Sequence, residues 1–299
     1  MLKRSITGFF ILLVTAGFIA LREVSVLFFD AFALMITMGA VIEMALASKF
    51  SNKKVDRIVI GLYPIGLACI FIFTKGETSL LLVVGLILLM FLVLMTKELI
   101  VNSIKRKSGE EKLSQEEMNK IILNETKNTV EILIYPTTLL GFLFGINHLG
   151  LNIGYVGIIL TFMITMFTDV FAYFFGSMLK GPKMAPEISP KKSISGMIFG
   201  ALGGILGAGL GYLFFAHLGY FGDVFNIVNS TYVILAFVAL GVIGTFLTQF
   251  GDLVASAYKR KVGIKDFGSI FPGHGGFMDR VDGLMFTGTL VYIVLAILF

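Results

Sequence analysis

The chain has 299 residues, of which 57% are hydrophobic and only 14% charged, with a mean hydropathy of +0.92. A soluble domain is about 45–50% apolar and about 25% charged, so a soluble globule is excluded and the apolar excess must face lipid. The lone cysteine, Cys69, excludes an intrachain disulfide and a Cys-rich metal cluster, and the net charge of +5 reports membrane topology before any ligand; no nucleic-acid partner is expected.

A bilayer core about 30 Å thick needs roughly 20 apolar residues at 1.5 Å rise. About nine stretches qualify, at 5–21, 25–48, 58–74, 79–96, 129–146, 153–179, 196–218, 229–251 and 281–298, the fourth able to continue as helix beyond Glu98. The expected fold is all-α, a polytopic integral membrane protein. The first stretch follows Lys3 and Arg4 but lacks a small-x-small cleavage site, so it is expected to stay as an uncleaved span. With nine spans, all but two of the 24 basic residues fall on one side; Arg22 and Lys75 are the exceptions. Basic residues stay inside, which puts the N-terminus in the cytoplasm and the C-terminus outside; a bacterial cell membrane is the expected location.

Residues 102–128 form the long polar segment, expected as a solvated cytosolic loop, with Ser114 and Glu117 at capping-box spacing for a short helix. One membrane domain results, with residues 1–128 as an N-terminal scaffold and 129–299 carrying the unusual polar residues. Asp30, Glu43 and Glu131 sit in or near spans without a polar constellation in sequence and are expected as packing or helix-end residues.

Asp169 lies inside the sixth stretch, about eleven residues and so roughly 16 Å from its Lys180 end. A carboxylate there needs a polar cavity, a cation or a proton. Tyr173 follows at i+4 on the same helix face, with Gly176 nearby. The turn-rich segment 182–195 holds Ser189, Pro190, Lys191 and Lys192, where proline restrains the two lysines. Gly196, Gly200, Gly204, Gly207 and Gly211 then read as a helix-packing face, since no Gly-Lys-Ser/Thr ending follows; such faces permit a homodimer without requiring one.

The strongest signal is GDLVASAYKRKVGIKDFGSIFPGHGGFMDRVD, from Gly251 to Asp282. If the eighth helix continues, Asp252, Ser256 and Lys259 share a face; Asp279 and Asp282 open the ninth stretch at i, i+3. Between them the glycines around His274 can bring backbone N–H groups to an anion. Lys259, Arg260, Lys261, Lys265 and Arg280 supply charge for phosphate. Carboxylates interleaved with basic residues suit a hard cation that helps neutralise a polyphosphate, chemistry that needs positioning more than a nucleophile. His148 and His217 lie near the other side and are expected to be structural.

These residues resemble the signature of phosphatidate cytidylyltransferases, or CDP-diglyceride synthases. The resemblance is carried by Ser256, Lys259-Arg260, Lys265-Asp266, Pro272-Gly273-His274-Gly275-Gly276, Asp279-Arg280 and Asp282, and upstream by Asp169 with Ala172, Tyr173 and Gly176, then Ile188 to Lys192. It covers roughly residues 130–299, and the first four spans only by hydropathy. It implies that CTP and phosphatidic acid give CDP-diacylglycerol and pyrophosphate at the cytosolic membrane face, with Mg²⁺ required and a second cation left open. By the same resemblance Asp252 and Asp279 would hold the metal and, with Asp282, Lys259 and Arg260, form the catalytic set. Asp169, Tyr173, Ser189, Lys191, Lys192, Ser256, Lys265, Asp266, His274, Gly275, Gly276 and Arg280 would bind substrates. Ala255, Ser195 and Gly283 depart from the family pattern, which leaves substrate preference open. Two other readings remain from the residues alone: another CTP-using lipid enzyme, such as a polyprenol kinase, and a cation-coupled transporter centred on Asp169.

Overall fold

A computed structural model describes residues 2–48, 54–74, 77–108, 115–217 and 230–298. Helices α1 (Leu2–Leu21), α2 (Val26–Ala47), α3 (Lys54–Phe73) and α4 (Glu77–Ser108) form the first half, and α4 does run on past Glu98. Then follow α5 (Gln115–Ile132), a wide turn at Leu133–Thr138, α6 (Leu139–Asn147), α7 (Leu151–Leu179), a small hairpin β1 (Lys183–Ala185) and β2 (Ser189–Ser193), α8 (Ile194–His217), α9 (Ser230–Val262), the short α10 (Met278–Val281) and α11 (Leu284–Leu298). The fold is an all-α integral membrane protein. Among the described residues six helices are long and apolar enough to cross a membrane; Ile6–Leu21, Arg57–Phe73 and Leu284–Leu298 are shorter, so length alone does not fix the number of crossings at nine.

Three expectations change. Segment 102–128 is mostly helix rather than loop, since α4 extends to Ser108 and α5 leads from Gln115 into the fifth span; the N-terminal half of the Ser114 capping box lies outside the described residues, as does Lys75. The fifth span is broken at Tyr135 (φ −125°, ψ 111°), because Pro136 has no N–H to donate and forces its predecessor into extended backbone. The 182–195 loop contains an antiparallel hairpin that pairs Lys183 with Ser193 and Ala185 with Ser189 across a bulge.

The core is built around α6, α7, α9 and α11, where Leu140, Ile146, Leu160, Met285 and Val291 are all buried. In the most apolar window of residues 126–147, 72% of the residues are buried, against 17% in that of α4, which puts the broken span at the centre and α4 against lipid. The glycine face of α8 packs on α7: an added Cβ would lie 2.9 Å from Ala172 O at Gly196, 2.5 Å from Phe167 O at Gly203 and 2.8 Å from Met163 O at Gly207. Lipid tails give helices no hydrophobic reason to associate, so this backbone contact and the threonine pairs Thr168–Thr245 (3.1 Å) and Thr248–Thr287 (2.6 Å) hold α7, α9 and α11 together.

Candidate active site

One end of this helix group is hollow. A cavity of about 760 Å³ lies between the C-terminal part of α7, the hairpin, the start of α8, the last third of α9 and the 266–282 segment. That volume is in the range of small-molecule sites. The α9 helix does continue through Gly251, so Asp252, Ser256 and Lys259 lie along one face, and Ser256 Oγ donates to Asp252 Oδ1 at 3.4 Å. Lys192 Nζ reaches across from β2 to donate to Asp252 Oδ2 at 2.8 Å and to Gln249 O at 3.2 Å, so an ion pair with α9 holds this hairpin lysine.

The expected residues separate into two groups. Asp169, Tyr173, Lys191, Lys192, Asp252, Lys259, Asp266, Asp279, Arg280 and Asp282 line the cavity. Ser189, Ser256, Arg260, Lys265, His274, Gly275 and Gly276 do not. Arg260 is exposed and its Nε donates to Ile188 O at 3.3 Å, tying α9 to the hairpin from outside. The His274 ring lies against α1, with Nε2 3.5 Å from where a Gly8 side chain would begin. The side chain of His217 lies outside the described residues.

Electrostatics inside the cavity are uneven. Asp169 interacts with Asp252, Lys192 and Arg280, and Asp282 with Asp252, Asp169 and Lys259. Three carboxylates therefore face one another across a space in which one lysine, Lys192, is committed to Asp252. Asp279 is different. Its Oδ1 accepts from Lys259 Nζ at 2.8 Å, and its Oδ2 accepts from Phe267 N at 2.8 Å and Gly276 N at 3.0 Å. The Asp279 side chain is 4% exposed and that of Asp252 39%, so Asp252, though paired with Lys192, is accessible from the cavity while Asp279 is enclosed by the protein.

The glycine loop also departs from the expectation that its N–H groups would cradle an anion. Gly273 and Gly275 turn the chain with φ near +80°, a conformation that disfavours side chains. Several of the loop's N–H groups, however, are already taken within the protein: His274 N by Phe271 O, Gly276 N by Asp279, and Phe277 N and Met278 N by Glu43 Oε1 and Oε2 at 3.0 and 2.9 Å. Glu43 therefore does have a polar constellation, contrary to its reading as a packing residue, and so do Asp30 and Glu131. Asp30 accepts from Asn147 Nδ2 at 2.8 Å and pairs with His148 at 2.9 Å, and Glu131 accepts from Lys261 at 3.3 Å. None of these partners is near in sequence, so no local pattern could have revealed them.

The sequence reading also missed Lys180, Lys183 and Gln249 in the lining, and Tyr135 behind it. Gln249 was legible as a polar residue one turn before Asp252; the two lysines look like ordinary membrane-border anchors. Tyr135 interacts electrostatically with Asp282, Asp252 and Asp279, which only the break in the fifth span makes spatially close.

Among the described residues no group of three or more His, Cys, Asp or Glu side chains forms a ready-made metal cage. The donor chemistry nonetheless fits a magnesium ion, which dehydrates reluctantly and is commonly held by one or two carboxylates plus substrate phosphates.

A family model described as the cytidylyltransferase family matches residues 2–298. The chain belongs to this family. It is 36% identical over 153 residues to a phosphatidate cytidylyltransferase of Brucella melitensis, covering 48% of each chain. It is 51% identical over 59 residues to one of Mycobacterium bovis, covering 20% of this chain and 19% of that one. A chloroplastic phosphatidate cytidylyltransferase of Arabidopsis thaliana is 54% identical over 55 residues, 18% of this chain and 14% of its own. The chain thus spans about half or less of the length of the curated relatives it matches.

Proposed function

We propose that this cytidylyltransferase-family protein joins CTP to phosphatidic acid, releasing pyrophosphate and leaving CDP-diacylglycerol in the bilayer. The observation that carries the reading is the cavity itself: carboxylates and basic side chains line it together, and Tyr173 in its lining is 80% exposed beside Phe174 at 58%, an apolar surface suited to lipid next to a polar space. A lipid headgroup can reach such a site while its acyl chains stay outside it.

A phosphomonoester has a second pKa of about 6, so the phosphatidate oxygen is largely anionic near neutral pH and can attack the α-phosphorus without a strong base. The new O–P bond forms as the bond to the bridging oxygen of the β-phosphate breaks, and pyrophosphate leaves. What the protein contributes is position and charge. Lys192, Lys259 and Arg280 face the cavity and would meet phosphate oxygens; Lys259 is held in line by Asp279 and lies 5.5 Å over the Phe267 ring. Magnesium, when bound, would supply concentrated positive charge on the polyphosphate, and Asp252 would hold it with Asp169 and Asp282 alongside. Asp279, paired with Asp252 in the sequence reading, would join that shell only by giving up Lys259. We place the site on the cytosolic side from the basic-residue asymmetry, with the N-terminus inside.

Purified protein given radiolabelled CTP, phosphatidic acid and Mg²⁺ should move label into the organic phase, and omission of any one of the three should abolish transfer. No transfer with all three present would overturn the reading.

A further inference from the structure

Among the described residues, the first half of the chain meets the 267–278 loop from α1 and α2, and Glu43 supplies the polar contact from α2. Glu43 lies on α2, 4% exposed, with its carboxylate against the 267–278 loop, more than 220 residues away in sequence. Each oxygen takes one N–H, Oε1 from Phe277 and Oε2 from Met278. The fit is steric as well as polar. A Cβ on Gly276 or on Gly268 would collide with the Glu43 carboxylate, and one turn earlier on α2 a Cβ on Gly39 would fall 2.5 Å from the Phe277 ring. One face of α2 is thus a mould for Gly276, Phe277 and Met278, and the three residues that follow within one turn or so, Asp279, Arg280 and Asp282, all line the cavity.

We infer that Glu43 is a positioning residue for the site: it fixes the loop so that Asp279 can hold Lys259 while Arg280 and Asp282 face the substrates. The inference rests on the proposed function for what those residues do, but not for the loop's dependence on Glu43. A carboxylate suits the place because both of its oxygens accept. In Glu43→Gln the amide NH₂ would confront one of the two N–H donors and leave it unpaired, without changing the volume. Glu43→Asp is shorter by one methylene and cannot reach both.

The test places a nitroxide on exposed Ser269 through Ser269→Cys in a Cys69→Ala background, in detergent-purified full-length protein. With Glu43 intact the label should report an ordered loop. Glu43→Gln should sharpen the spectrum toward a mobile label and lower kcat at least tenfold per folded molecule, as judged by unchanged size-exclusion profile and yield, whereas Ile42→Ala, one residue away on the lipid-exposed side, should change neither. Gly276→Ala, which evicts the Glu43 carboxylate from the loop side, should reproduce both effects and serves if Glu43→Gln fails to fold. A label spectrum unchanged in both variants would overturn the inference, as would activity lost only in proportion to folded protein. If the unaltered enzyme transfers no label from CTP, the proposed function fails, and the spectra alone still decide whether Glu43 orders the loop.

Discussion

The two ends of α7 carry buried polar clusters of opposite character. At its N-terminal end Arg22, 2% exposed, donates Nε to Asn147 Oδ1 at 2.6 Å, Nη1 to Leu151 O at 2.9 Å and Nη2 to Asn147 O at 3.0 Å, while Asn147 donates to Asp30 and Asp30 meets His148. The guanidinium spends its fork on fixed carbonyls where α1, α2, α6 and α7 meet. At the C-terminal end Asp169, Asp252 and Asp282 share a cavity, with Lys192 on one of them. A closed cluster is a clamp; an open one, in which acids and bases line a shared space, is a place for something to bind.

Substitutions should separate the two ends. Asp252→Asn is expected to have the largest effect, reducing transfer from CTP by a factor on the order of 10³ with normal insertion and thermal stability, because under the proposed function its partly exposed carboxylate would hold the cation. Retained transfer would remove it from the cation's shell. Asp279→Asn should cost both activity and stability: it leaves Lys259, 15% exposed, as an unpaired charge, a loss of about 3–5 kcal/mol by the usual penalty for breaking a buried pair, read as a lower melting temperature in detergent. Arg22→Met should lower stability by about 2–4 kcal/mol through orphaned carbonyls and Asn147, yet leave kcat per folded molecule within about twofold, since it lies at the far end of the helix. A kcat loss as deep as that of Asp252→Asn would dissolve the distinction between clamp and site. Lys261→Ala should be the mildest change, at about 0–1 kcal/mol, because its 3.3 Å pair with Glu131 is 56% exposed on the lysine side.

Much of the site was legible because helix periodicity carries short-range geometry. The spacing of Asp252, Ser256 and Lys259 needs only that α9 continue, and it does. The glycine face of α8 was likewise readable as packing. The loop between Lys265 and Asp282 was not, because its N–H groups looked available until Asp279 folded back onto Phe267 and Gly276, and Glu43 arrived from α2. His274 had the chemistry of a phosphate contact, but its ring is placed by α1, an element nothing in its own neighbourhood specifies.

Hydropathy and charge by themselves determined the membrane, the helices and the stretch of chain holding the reactive groups, because lipid imposes helix formation on any apolar run and periodicity is local. Tertiary structure alone decided which carboxylates are accessible and which are enclosed. That depends on which backbone donors meet them across gaps as long as that between Glu43 and Met278, and a hydrogen bond leaves no mark in sequence until both partners have been brought together.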